Sequence, residues 1–394
     1  MRDLIDRLRL PDWLRPVTPT GWLVVAFASV AWFAAWQLGW REMAVIAGAG
    51  ISALAVSLLF TIGRFNFDTE LRLQPVRVVV GERAGGEVLV RNSSAKRMLP
   101  LFVELTVGKG VAQFRVPSLA PAAEHDELFT LPTNRRAVLE VGPVSSVRSD
   151  PVGLVRRERR WPKIEELFVH PRTVRLDRLG AGFLRDLEGQ ATNDLSPSDI
   201  AFHTLREYVA GDDRRHIHWR TSARLNKLMV RQFVDTRRSH LVVLVSESLR
   251  DYHDEAEFEL AISCAASFAL RAIRDEQTVN LVAGDRALPA TGGQQLLDSC
   301  SRIDSRTRGG TIRGAVAVAN RVAPAATIVV VVVGSKANQD ELRSATAMLA
   351  TQARVLLVMA DVLGTLQRRQ VGPSVLLNVP VLEEFERGLM LVLT

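Results

Sequence analysis

Three things are scarce in this sequence of 394 residues: cysteine, enzyme signatures and, over two long stretches, charge. Cys264 and Cys300 are the only cysteines, one inside an expected helix and one closing another. Two such residues make reduced core positions rather than a disulfide framework. The chain has no G-x-x-x-x-G-K-S/T, no G-x-G-x-x-G after a strand, no H-E-x-x-H and no G-x-S-x-G. The phosphate-cradling loops, zinc-protease helix and nucleophile elbow that those patterns encode are excluded with them. Gly21 to Trp40 and Met43 to Gly63, runs of 20 and 21 residues, hold no charged side chain.

What fills those runs is apolar, and each matches the length of about 20 residues that crosses a hydrocarbon core. The chain is 47% apolar, and its mean hydropathy of +0.09 is high for a soluble protein. A secretory signal would be shorter and would lack a second span so close behind. Only Arg41 and Glu42 separate the runs, so the expected form is a transmembrane hairpin, with Trp22, Trp32, Trp36 and Trp40 near its interfaces. Arg2, Arg7, Arg9 and Arg15 precede it, and Arg64, Arg72, Arg77 and Arg83 follow. The positive-inside rule then places both termini in the cytoplasm of a cell-membrane protein, with the bilayer itself as a partner. Residues 1–64 form this first region, the amphipathic lead-in included.

From 65 to 174 the apolar period changes to two. Strands are expected over 77–82, 86–92, 101–107, 112–116, 127–130, 137–141 and 166–169, broken by Gly, Asn-Ser-Ser and Pro. Short strands at that spacing predict a small immunoglobulin-like β-sandwich. Arg156-Arg157-Glu158-Arg159-Arg160-Trp161 is basic with an aromatic end, suited either to lipid head groups, to a partner domain or to plain solvation. His125 stands in a loop with no catalytic company.

The least generic stretch lies in 175–240, after a polar connector. Between Ala201 and His240 nine arginines and lysines face four acidic residues, while the whole chain carries only +7. Gly211-Asp212 reads as a turn and cap opening a helix through Arg224, followed by a short strand over Leu228–Phe233. Asp212, Asp213, His216 and His218 could suggest a metal-dependent phosphoesterase, but histidines two apart on a helix face apart. Arg214, Arg215, Arg220, Arg224 and Lys227 could bind nucleic acid, though without an identifiable reading element. The favoured expectation is structural: Asp212, Arg215 and Arg224 form part of a buried or half-buried ion-pair latch with Trp219 as its apolar anchor.

The pattern R-x-Y-x-x-G-D-x-x-R-x-I-x-W-x-x-x-A-R, then L-x-V-R-x-F, falls on Arg206, Tyr208, Gly211, Asp212, Arg215, Ile217, Trp219, Ala223, Arg224, Leu228, Val230, Arg231 and Phe233. Upstream, Arg135-Arg136, Val141-Gly142-Pro143, Asp150-Pro151-Val152-Gly153-Leu154-Val155-Arg156-Arg157 and Val169-His170-Pro171 continue it. Together they resemble the bacterial family catalogued as domain of unknown function 58. The resemblance implies a von Willebrand factor A-like domain and association with MoxR-type AAA+ ATPases; it implies no defined activity.

Residues 241–394 alternate short apolar strands with helices, which predicts a doubly wound α/β sheet. Ligands of such sheets bind beyond the carboxyl ends of the strands. In the von Willebrand A arrangement the first strand ends in D-x-S-x-S around a divalent ion. Here Ser246-Glu247-Ser248-Leu249-Arg250 puts serine where the aspartate is expected, and Ser335 is followed by Lys336. Ser246, Ser248 and Ser335 therefore mark a degenerate metal site, with Glu247 or Asp251 as the remaining carboxylate candidates. The expected whole is a non-catalytic, cofactor-free membrane scaffold that works with a MoxR-type ATPase or a neighbouring membrane protein.

Overall fold

The computed structural model describes residues 17–61, 67–177, 202–209, 212, 214–233, 240–349 and 353–393. The amphipathic lead-in before residue 17, Gly211, Asp213 and the connector from 178 to 201 lie outside the described residues. The chain divides into two compact units, Met1–Val169 and His170–Thr394.

The first unit opens with helices α1 (Pro19–Leu38) and α2 (Arg41–Thr61). Both begin two residues before the charge-free runs because caps, not hydropathy, set helix ends. Thr18 accepts from the Gly21 amide, Pro19 sits where its missing N–H removes no bond, and Gly39 closes α1 at φ 69°. Ala28 and Ala31 on α1 and Ala47 on α2 are buried, small side chains that let the two backbones approach. Phe27, Trp36, Val45 and Leu59 face outward, and each helix is long and apolar enough to cross a bilayer.

Nine strands follow: β1 (Phe67–Gln74), β2 (Arg77–Val79), β3 (Ala84–Asn92), β4 (Leu101–Val107), β5 (Gly110–Val116), β6 (Glu124–Leu131), β7 (Ala137–Ser149), β8 (Arg156–Trp161) and β9 (Glu165–His170). They form a three-stranded sheet, β1-β3-β6, and a larger one, β2-β9-β7-β4-β5, with β8 on the second half of β7. Their alternating apolar residues meet in one core around Phe67, Leu71, Leu105 and Leu167. Burying each such side chain contributes about 1.5–3 kcal/mol. The β-sandwich expectation holds at this level. Strands β1 and β8 are additions: β1 turns Phe67, Leu71 and Leu73 inward between polar residues, and β8 has no apolar alternation.

One turn of this unit is tied to both helices. Asp150, 4% exposed, accepts from Val155 N at 2.7 Å, from Val152 N at 3.0 Å and from Ser57 Oγ of α2 at 3.0 Å. Thr18, ahead of α1, donates its hydroxyl to Gly153 O at 2.7 Å and its amide to Leu154 O at 3.0 Å. Val17 and Val155 form an antiparallel bridge. A Cβ on Gly21 would lie 2.3 Å from Leu154 O, so only glycine admits this approach. Burial raises the Asp150 carboxyl, but the hydrogen bonds from Val155, Ser57 and Val152 outweigh it and hold the group below the usual range.

The second unit contains a hairpin of β10 (Phe202–Glu207) and β11 (Met229–Phe233), with helix α3 (Trp219–Leu225) between them. Then come β12 (His240–Val245), α4 (Glu255–Arg274), β13 (Thr278–Ala283), β14 (Arg286–Leu288), α5 (Gly293–Ser301), α6 (Ile312–Val322), β15 (Ile328–Gly334), α7 (Gln339–Ala347), β16 (Arg354–Ala360), β17 (Gln367–Val371), β18 (Ser374–Val379) and α8 (Phe385–Leu393). The seven-stranded sheet runs β14-β13-β12-β15-β16-β18-β17, with antiparallel pairs only at its two ends. Its centre strands are buried on both faces: one face packs against α4, α5 and α8, the other against α6 and α7. This is the expected doubly wound α/β sheet. His170 pairs with Asp298 at 2.8 Å, Val174 N donates to Ser267 Oγ, and Leu176 is buried among α4 side chains. Residues from His170 onward thus pack with this unit, ahead of the expected sandwich end at 174.

Candidate functional site

The signature segment is built differently from the expected latch. Arg206 Nη1 and Nη2 donate to Asp212 Oδ2 at 2.8 Å and Oδ1 at 2.6 Å, and Val209 N adds a third bond at 2.9 Å. Arg206 lowers the Asp212 carboxyl from its ordinary value, and the arginine is raised in turn. Asp212 therefore ties the end of β10 to the following loop and caps no helix. A turn of 3-10 helix covers Arg214–His216, and Ile217 bridges Val230, both side chains buried. His218 opens α3, its Nδ1 accepting from Thr221 N at 3.2 Å. Ser222, buried beneath α3, bonds His218 O and Met229 N, and Asn226 at φ 52° reverses the chain into β11. Tyr208 N donates to Leu228 O and closes the hairpin.

Trp219 is 66% exposed, which corrects its role as buried anchor. Ile217 lies ahead of the cap residue His218 and bridges Val230, whereas Trp219 is the first residue of α3. Arg215, Arg224 and Arg231 are exposed as well. On α3, Trp219 and Ala223, and Arg220 and Arg224, stand four apart and all four are exposed. Arg214 and Lys227 are exposed beside them. The phosphoesterase candidates do not converge: Asp212 is taken by Arg206 and His218 by a cap, and Asp213 lies outside the described residues.

At the carboxyl end of β12, Ser246 and Glu247 are fully buried and Ser248 nearly so. Ser246 Oγ donates to Asp251 Oδ2 and accepts from Ser248 N at 3.2 Å, while Tyr252 Oη donates to Ser246 O at 2.6 Å. Ser335, after β15, gives its amide to Glu257 Oε1 at 2.7 Å. Arg286 donates to Glu247 Oε1 at 2.6 Å, and Arg306 Nε stands 3.0 Å from Oε2 without hydrogen-bond alignment. Gly284 and Gly310, both at positive φ, would place a Cβ 2.7 and 2.8 Å from Glu247 side-chain atoms. The backbone is folded tightly over this carboxylate. Burial raises Glu247 from its ordinary value against the pull of Arg286 and Arg306. Burial likewise raises Asp251.

The degenerate metal positions are therefore brought into one neighbourhood. Ser246, Ser248 and Asp251 are joined by hydrogen bonds, and Glu247 turns to arginines. Among the described residues no group of three His, Cys, Asp or Glu side chains is placed to hold an ion. Arg286 and Arg306 were not foreseen, because each reaches Glu247 only through the crossing of separate loops.

No curated protein matches the chain. Among solved structures it is similar to the CARDB domain of a Pyrococcus furiosus protein in complex with di-metal ions. That likeness has 18% identity, 27% of this chain, 97% of that one and a TM-score of 0.22. A solution structure of the same domain gives 15% identity over 26% and 94%, with a TM-score of 0.20. A β-glucosidase from Listeria innocua is similar at 16% identity over 27% of this chain and 17% of its own length, with a TM-score of 0.19. The signature hairpin and most of the doubly wound sheet, residues 204–364, match the model of a family described as Protein of unknown function DUF58.

Proposed function

We propose that the protein is a membrane-anchored, non-catalytic scaffold whose second unit is a degenerate von Willebrand A-like domain. Its partner is a MoxR-type AAA+ ATPase or a neighbouring membrane protein, in assembly or envelope processes. The observation that carries this reading is the state of the carboxylates at the strand ends. Glu247 faces two guanidinium groups, and Asp251 takes the Ser246 hydroxyl, so both are spent on internal contacts. A site of this kind fixes loops; it offers no open carboxylate to a cation.

Two further observations support an adaptor. The helices α1 and α2 have the length and composition of bilayer spans, and the flanking arginines favour cytoplasmic termini. The signature segment presents Trp219 with Arg220 and Arg224 outward, and exposed Trp and Arg are the side chains that most often anchor protein interfaces. The test is a crosslinked pull-down of the full-length protein from its native membrane, beside a Trp219→Ala/Arg224→Ala variant. An AAA+ ATPase recovered with the wild type and lost with the variant is the expected result. Equal recovery from both sinks the contact surface, and metal-dependent turnover by the purified chain sinks the non-catalytic reading.

A further inference from the structure

The Asp150–Val155 turn is held by Thr18 at the start of α1 and by Ser57 near the end of α2. In an up-and-down hairpin those two positions lie at the same end. The turn cannot drift from the helix ends without breaking the Thr18, Ser57 and Val17 contacts together. Its tip, Pro151 and Val152, is exposed, Val152 by 71%. Strand β8 starts at the very next residue, Arg156, and pairs on one side only with β7 among the described strands. Arg156 reaches inward to Glu104 at 2.8 Å, whereas Arg157, Arg159 and Arg160 are exposed, with Arg159 over the Trp161 ring at 5.2 Å. Sequence alone left this basic strand with three readings; its covalent and hydrogen-bonded continuity with the helix ends decides between them.

We propose that the Asp150–Val155 turn and the start of β8 form a docking surface for an anionic phospholipid head-group layer. Val152 meets the interface, and Arg157 and Arg159 meet the lipid phosphates. Basic residues placed within a Debye length of an anionic leaflet are attracted to it. The first unit then sits on the membrane as a rigid body instead of hanging from a tether. This inference rests on the membrane-anchored reading, and the experiment separates the two.

Cys264 and Cys300 are both buried, so a single introduced cysteine can be labelled selectively. Val152→Cys and, in the span, Trp36→Cys would carry an environment-sensitive fluorophore in full-length protein. Each is reconstituted into phosphatidylcholine vesicles with or without phosphatidylglycerol, containing nitroxide lipids labelled at the head group or on the acyl chain. The Trp36→Cys probe should be quenched from the acyl chain in both vesicles. The Val152→Cys probe should be quenched from the head group, more strongly with phosphatidylglycerol. Adding Arg157→Glu and Arg159→Glu should lower that head-group contact by about fivefold per arginine lost. A quenched span probe with an unquenched Val152→Cys probe overturns the docking surface alone, as does quenching indifferent to phosphatidylglycerol and to charge reversal. An unquenched span probe overturns the membrane reading and this inference with it.

Discussion

Asp150 and Glu247 are two buried carboxylates with opposite electrostatics. Asp150 lies in the sandwich unit, its oxygens met by two backbone amides and a serine hydroxyl, and it titrates below its ordinary range. Glu247 lies in the α/β unit, met by two partly exposed arginines, and it titrates above. Burial opposes the charged form of both; at Asp150 the hydrogen bonds outweigh it, and at Glu247 the two arginines do not. The amides of Val152 and Val155 are held by the same turn that carries Asp150, so they lose nothing further by pointing inward. Arg286 and Arg306 must be drawn from solvent, and one of them meets its oxygen without alignment.

The sharpest way to break that comparison is Asp150→Ala, which leaves two amides and a hydroxyl without an acceptor in a buried turn. At roughly 1–3 kcal/mol per orphaned donor, it should cost about 4 kcal/mol in thermal or denaturant unfolding of the full-length protein in detergent. Arg306→Ala should cost less, about 2–3 kcal/mol, since Arg286 remains to answer Glu247. An effect as large as that of Asp150→Ala would show that charge, not geometry, dominates.

The pH dependence sharpens the same contrast. Glu247 is raised in the folded state, so it binds its proton more tightly there than in the unfolded chain. The destabilisation it brings grows as pH rises from the ordinary carboxylate value through the raised one, and is relieved on acidification. As pH falls through the raised value toward the ordinary carboxylate one, the wild type should gain stability relative to Glu247→Gln. Asp150 runs the other way: its stabilisation is present above the ordinary carboxylate value and is lost as pH falls through its lowered one. Differential scanning calorimetry of the variant pair reads the first, and Asp150→Asn beside wild type reads the second. The smallest expected effect belongs to Trp219→Ala, within about 0.5 kcal/mol, because the indole is mostly exposed. A fall of several kcal/mol there would restore the buried anchor that the sequence suggested.

Much of the architecture was legible because hydrophobic period tracks burial. The strands of the sandwich core and of the parallel sheet, and the long α4 with Phe258, Ala261, Ile262 and Ala265 inward, carry their period openly. Strand β8 was not legible as a strand, since R-R-E-R-R carries no apolar alternation; its ladder to β7, the Arg156–Glu104 pair and Trp161 against Phe67 hold it. The signature residues were legible as a group, but their partners were not. Arg206 and Asp212 meet because the loop turns back on the end of β10; Gly211-Asp212 signals that turn, but not which side chain Asp212 would receive. Trp219 misled because the helix starts at it and not before it: Ile217 falls in the bridge to Val230 and is buried, while Trp219 falls on the exposed first turn of α3. Glu247 was recognised as a candidate carboxylate, yet nothing near it in sequence announces Arg286 or Arg306.

The ties around Gly153 and Leu154 have a mechanical meaning. Val17 and Val155 run antiparallel, with Thr18 bonded beside them, so a pull on the sandwich loads several hydrogen bonds in shear at once. Ser57 takes part of the same load into the returning helix. Tension applied to the folded part would therefore enter both helices together, as torque on a hairpin rather than as the stretching of a single strand.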